Sequence, residues 1–153
     1  MAEKKILIVD YDSQSLQALS SLFRPHNFQI LTATDGVSAY EKFVSEKPDL
    51  VLMEAILPKL HGFDLTKKIT QESRGSVPVI IVTGLYKGPQ YRHEALANYG
   101  ASEYFEKPYD QGKLINSVLS LLKEKVDIWL ELPDPDTVVE HLARRLKSPS
   151  RKT

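Results

Sequence analysis

Four residues able to do chemistry each stand at or just beyond the end of a short apolar run. Asp10 follows Ile6-Leu7-Ile8-Val9, and Glu54 follows Leu50-Val51-Leu52-Met53. Thr83 closes the run at residues 77–82, and Lys107 comes shortly after Tyr104-Phe105. Two carboxylates, a hydroxyl and an ammonium, brought together, could hold a small oxyanion or a hard cation. Taken singly, each has a plainer use. An Asp beyond a strand commonly caps a helix or makes a turn, and a Lys before Pro is usually solvated. The shared position at the ends of four runs is what sets them apart.

The elements that would position them alternate regularly. Runs at residues 6–9, 28–33, 50–53, 77–82 and around 104–105 are short, apolar and of buried-strand type. Between them lie segments of helical period. Leu16, Leu19, Leu22 and Phe23 recur after a candidate N-cap, Asp12, and stop at Pro25. After the Asp35-Gly36 turn, Val37, Tyr40, Phe43 and Val44 line one face of a second helix, which Pro48-Asp49 breaks. Phe63, Leu65 and Ile69 mark a third helix ending before Gly75. Gly88-Pro89 opens a fourth, with Leu96 and Tyr99 on its later turns and Gly100 just past its end. A fifth begins near Asp110 with Leu114, Ile115, Val118, Leu121 and Leu122. Five strands alternating with five helices predict an α/β fold, a flavodoxin-like doubly wound parallel sheet with right-handed crossovers. Ligands in such folds sit outside the carboxyl ends of the strands. Strand order 2-1-3-4-5 would bring Asp10, Glu54, Thr83 and Lys107 to one rim.

Composition narrows the function classes. The chain has 153 residues, enough for one domain with a real core. Lys plus Arg and Asp plus Glu number 20 each, so no global field points to nucleic acid or an anionic membrane. With no cysteine, disulfides, thiolate metal sites and cysteine nucleophiles are excluded. No apolar run is long enough for a signal peptide or a bilayer span. A cytoplasmic protein without membrane or nucleic-acid partners is expected. No glycine-rich phosphate loop and no Gly-x-Ser-x-Gly elbow is present.

Several motifs carry a resemblance in order and spacing. Ile6-Leu7-Ile8-Val9-Asp10-Tyr11-Asp12, Pro48-Asp49-Leu50-Val51-Leu52-Met53-Glu54, Leu57-Pro58, Gly62-Phe63, Ile81-Val82-Thr83-Gly84 and Lys107-Pro108 resemble the receiver domain of bacterial two-component response regulators. The resemblance covers about residues 4–125. It implies a phosphorelay signalling module of the CheY-like fold rather than an enzyme acting on a separate substrate. In that family an Asp ending strand three takes a phosphoryl group from a histidine kinase, and with two acids after strand one it holds Mg²⁺. The resemblance makes Asp10 the first acid, and Thr83 and Lys107 the groups that bind phosphoryl oxygens. It makes Tyr104 the switch aromatic and the carbonyl of Ile56 a metal ligand. A cis peptide is implied before Pro108.

Two positions depart from the pattern. Tyr11 stands where the second acid belongs, and Glu54 stands at the phosphoacceptor position. Losing one carboxylate should weaken Mg²⁺, which demands a near-ideal octahedron of hard oxygens. The extra methylene of Glu54 displaces its carboxylate, and a misplacement of about 1 Å can cost on the order of 10²-fold in a positioned reaction. The expectation is therefore a degenerate receiver, a protein-interaction module that works without phosphorylation. Glu54 could pair with Lys107 and mimic the active state, or the site could have decayed and left only a binding surface. A working phospho-switch that tolerates Glu54 is the alternative, and a flavodoxin-like carrier of a small ligand is a further one.

The same resemblance places partner contacts, with a kinase, a downstream protein or a second copy, on the face of the fourth helix, fifth strand and fifth helix. Tyr91, Arg92, Tyr99 and Tyr104 lie along it, and Tyr and Arg are frequent interface anchors. His26, His61, His93 and His141 lack metal-ligand spacing and read as surface residues, His61 in the loop beside the site. Residues 1–125 form the receiver-like domain. Residues 126–153 extend it with a further helix carrying Val138, Val139, Leu142 and Leu146, then a basic, disordered tail.

Overall fold

The computed structural model describes residues 3–130. Its elements are β1 (Lys5–Val9), α1 (Ser13–Phe23), a short 3₁₀ turn (Arg24–His26), β2 (Gln29–Ala33), α2 (Gly36–Glu46) and β3 (Leu50–Met53). They continue with α3 (Gly62–Glu72), β4 (Val79–Thr83), α4 (Pro89–Asn98), β5 (Glu103–Glu106) and α5 (Gln111–Leu130). The five strands are parallel and run in the order β2-β1-β3-β4-β5, as the alternation predicts. A sheet covered on both faces buries both sides of its inner strands. That is why Ile6, Leu7, Ile8 and Val9 read as one unbroken apolar run, and all four are fully buried. The same holds for residues 50–53 of β3 and for Val79, Ile80, Ile81 and Val82 of β4.

The register places the rim. Val9 pairs with Met53, Met53 with Ile81, and Ile81 with Tyr104. The ladder then extends one residue past the strands. Asp10 N–H donates to Ala33 O (3.1 Å), Glu54 N–H to Val9 O (3.0 Å) and Lys107 N–H to Thr83 O (2.8 Å). Gly62 lets α3 start directly over this rim, since a Cβ there would lie 2.5 Å from the carbonyl oxygens of Glu54 and Ala55. Gly36 does the same for α2, where a Cβ would lie 2.1 Å from Leu60 O.

Local expectations hold at the caps. The Asp12 carboxylate accepts the Gln14 N–H (3.3 Å) and caps α1. Asp35, expected only as a turn residue, caps α2 by accepting the Ser38 N–H (2.7 Å), and this holds its carboxyl below the usual carboxylate range. The face of α2 is a correction. Val37 and Val44 are 42% and 51% exposed, while Gly36 and Ala39 are the buried positions. Tyr40 and Phe43 do pack, half-buried, against the core as expected, so only the two valines at the flanks of the stripe turn outward. The compact unit containing the sheet ends at Leu119, and a second begins at Ser120. The helix expected around residues 138–146 and the basic tail lie outside the described residues.

Candidate functional site

The strand ends bring Asp10, Glu54, Thr83 and Lys107 together. Asp10 and Thr83 are fully buried, and Glu54 is 2% exposed. Buried carboxylates are costly unless matched, and these are matched closely. Asp10 Oδ1 accepts the Asp12 N–H (3.0 Å), and Asp10 Oδ2 accepts from Lys107 Nζ (2.7 Å). Glu54 Oε2 accepts the N–H groups of Ala55 (2.8 Å) and Ile56 (3.3 Å), together with the Thr83 hydroxyl. Glu54 Oε1 accepts the Gly84 N–H (3.1 Å) and Lys107 Nζ (3.2 Å). Five donors therefore converge on one carboxylate. Among the described residues no buried side-chain polar atom lacks a partner.

Lys107 bridges the two acids with its Nζ. Burial works against its charge. The hydrogen bond and negative charge of Asp10, joined by those of Glu54, outweigh that and hold the ammonium above the usual lysine range. The peptide between Lys107 and Pro108 is cis, as the resemblance implied.

Thr83 links this cluster to the next layer. Its Oγ1 accepts the N–H groups of Leu85 and Tyr86, both at 3.2 Å, while donating to Glu54. Tyr104 is buried, and its hydroxyl donates to Tyr86 O (2.6 Å). Burial, then the charges of Glu106 and Glu54, push its phenol well above the usual tyrosine range. The Tyr86 ring stacks on Tyr91 of α4 (4.5 Å between centroids) and meets Phe63 of α3 edge-on (5.7 Å).

The remaining expected residues fall as follows. Tyr11 is 48% exposed and brings no acid to the rim. Ile56 reaches the cluster through its N–H. Tyr91 and Tyr99 are half-buried, Tyr99 against Phe63 (5.2 Å). Arg92 Nη1 donates to Tyr104 O (2.8 Å), so its guanidinium serves the outer edge of β5. His61 is a correction to the reading of all four histidines as surface residues. It is half-buried and caps α3, its Nδ1 accepting the Phe63 N–H (3.1 Å), with Nε2 3.3 Å from the Tyr86 hydroxyl. Sequence reasoning also missed the amides of Ala55 and Gly84, because a backbone donor leaves no mark in residue type.

A divalent ion fits this donor set poorly. Asp10 Oδ2 and Glu54 Oε1 both face an ammonium, and Tyr11 supplies no carboxylate at the second-acid position. Among the described residues no group of three His, Cys, Asp or Glu could hold a metal. Nor is any helix among them long and apolar enough to cross a membrane.

Residues 6–119 match the model of the response regulator receiver domain. The chain is 34% identical over 119 residues to Protein PilH of Pseudomonas aeruginosa, covering 77% of this chain and 97% of PilH. It is 33% identical over 122 residues to response regulator ArlR of Staphylococcus aureus, where the match takes 79% of this chain and spans about half (53%) of ArlR. Among solved structures, the signal receiver domain of an HD domain-containing protein from Pseudomonas fluorescens superposes with a TM-score of 0.75 at 27% identity, over 81% of this chain and 98% of that one. A two-component response regulator from Clostridium difficile gives 0.74 at 29% identity, over 81% and 99%.

Proposed function

The chain belongs to the response regulator receiver domain family, and we propose that it is a receiver whose switch Glu54 holds in one position. The observation that carries this reading is the seating of the Glu54 carboxylate on the Thr83 hydroxyl, the Gly84 N–H and Lys107 Nζ at once. The resemblance assigns Thr83 and Lys107 to the oxygens of a phosphoryl group. Here carboxylate oxygens meet them, where the oxygens of an incoming anion would otherwise sit. That supports mimicry over decay, since a decayed site would strand buried polar groups, each costing about 1–3 kcal/mol. Tyr104, buried and bonded to Tyr86 O, agrees with a switch already thrown.

On this reading the domain signals through protein contacts and turns over no separate substrate. Its partner is a kinase, a downstream signalling protein or a second copy, met through the face of α4, β5 and the start of α5. Acetyl phosphate followed by intact mass spectrometry tests it. The wild type is expected to stay unmodified, while the variant combining Tyr11→Asp with Glu54→Asp gains one phosphoryl group. A phosphorylated wild type would instead place the chain among working phospho-switches.

A further inference from the structure

We propose that the Lys107 ammonium is itself the cation of this site, so that the rim is held together without Mg²⁺ and does not take it up. Three observations lead there. Nζ lies 2.7 Å from Asp10 Oδ2 and 3.2 Å from Glu54 Oε1, bridging the only two acids that remain of the family's metal set.

The charge count is the second. A rim with three carboxylates and one lysine carries two negative charges, which a divalent ion cancels. Tyr11 removes one of those acids and is turned to solvent. Asp10, Glu54 and Lys107 together carry one negative charge, so a divalent ion would leave a net positive charge among buried groups, which is costly.

Third, the residual negative charge is already dispersed. The N–H groups of Asp12, Ala55, Ile56 and Gly84 and the Thr83 hydroxyl all donate to the two carboxylates. An incoming Mg²⁺ would have to turn Asp10 Oδ2 and Glu54 Oε1 toward itself, expelling the ammonium they share. It would still find one carboxylate fewer than the family's metal set offers, with its octahedron left to water. Lys107 thus has a role here beyond meeting an oxyanion: it neutralises and joins the strand ends permanently.

The inference shares with the proposed function only the seating of Glu54 on Lys107, and it can fail separately. The test is a titration of the whole chain with MgCl₂ against NaCl at matched ionic strength. It is read at the amide resonances of Asp10, Asp12, Ala55 and Ile56 and by thermal melting. The wild type is expected to respond equally to both salts. Tyr11→Asp, at an exposed position, restores the second negative charge and is expected to gain a saturable response specific to Mg²⁺. Lys107→Met is expected to melt lower and to be partly rescued by Mg²⁺ but not by NaCl. Saturable Mg²⁺ binding by the wild type overturns the inference, and so does a Tyr11→Asp variant that gains none. Those two proteins decide the matter even if Lys107→Met fails to fold. Wild type that binds Mg²⁺ yet resists acetyl phosphate would sink this inference and leave the proposed function standing.

Discussion

The rim and helix α4 are neighbours tied down in opposite ways. At the rim, five donors fix one carboxylate, and the side chains of Asp10, Glu54 and Thr83 are almost wholly enclosed. In α4, Ala95 alone is buried. That helix is held by the stacking of Tyr91 on Tyr86, by Arg92 on Tyr104 O, and by its leading Gly88 N–H on Glu106 (2.8 Å). Few buried contacts mean a low cost of local opening. The contrast suggests a division of labour. On the proposed reading Glu54 freezes the chemical end, whereas the α4 face proposed for partners keeps lightly fastened contacts.

Substitutions can break or sharpen this contrast. The largest effect is expected at Lys107. Lys107→Ala leaves two buried carboxylates without their shared cation, and breaking a buried pair costs about 3–5 kcal/mol. Urea denaturation would measure it, and a loss below about 1 kcal/mol, the range of surface pairs, would mean the rim is far wetter than its burial implies. Next is Glu54→Ala, which strands the Thr83 hydroxyl and the Gly84 N–H. About 1–3 kcal/mol should be lost. The N–H of Tyr86 should also exchange faster with solvent, because Thr83 would be free to turn. A variant with unchanged stability and exchange would show that Glu54 does not organise the loop after β4.

Alkaline pH should act on the same region. Folding favours the protonated forms of both Lys107 and Tyr104. A group whose value is raised by folding contributes its full stability below its unfolded value. That contribution is lost as pH rises from there through the folded value. Melting temperature should therefore begin to fall above about pH 10, where unfolded tyrosine and lysine titrate. Tyr104→Phe should flatten part of the decline, and an identical pH profile would remove Tyr104 from the account. The smallest effect belongs to α4. Arg92→Ala gives up one hydrogen bond to the β5 edge, about 0.5–1.5 kcal/mol, and an ion pair with Glu103 at 3.9 Å that counts for little. Faster amide exchange should be confined to α4 and β5. Equal loosening at the rim would erase the contrast.

Much of this was legible in the sequence, for reasons that differ by element. β1, β3 and β4 announce themselves because both their faces are buried, so hydrophobic runs need no phase. Asp10, Glu54, Thr83 and Lys107 could be placed on one rim because parallel strands all end on the same side. The α2 face was only half legible from periodicity, because Val37 and Val44 satisfy the helical spacing as well as Tyr40 and Phe43 do, yet only the latter two pack on the core. His61 looked like any loop histidine. Its use as a cap depends on the backbone turn that Gly62 permits, and its contact with Tyr86 joins segments 25 residues apart. The convergence of donors on Glu54 was half visible. Pairing with Lys107 could be expected from reach and charge, whereas the amides of Ala55 and Gly84 depend on backbone direction.

The central claim, that Glu54 holds the switch thrown, is tested most directly by amide spectra of residues 83–87 and 104–107. They should be recorded for the wild type and for the variant combining Tyr11→Asp with Glu54→Asp, each with and without beryllofluoride and Mg²⁺. The account predicts that the wild type does not respond to beryllofluoride and already resembles the beryllofluoride-bound variant. A wild-type spectrum matching the unliganded variant would contradict it, and Glu54 would then mark a switch left off.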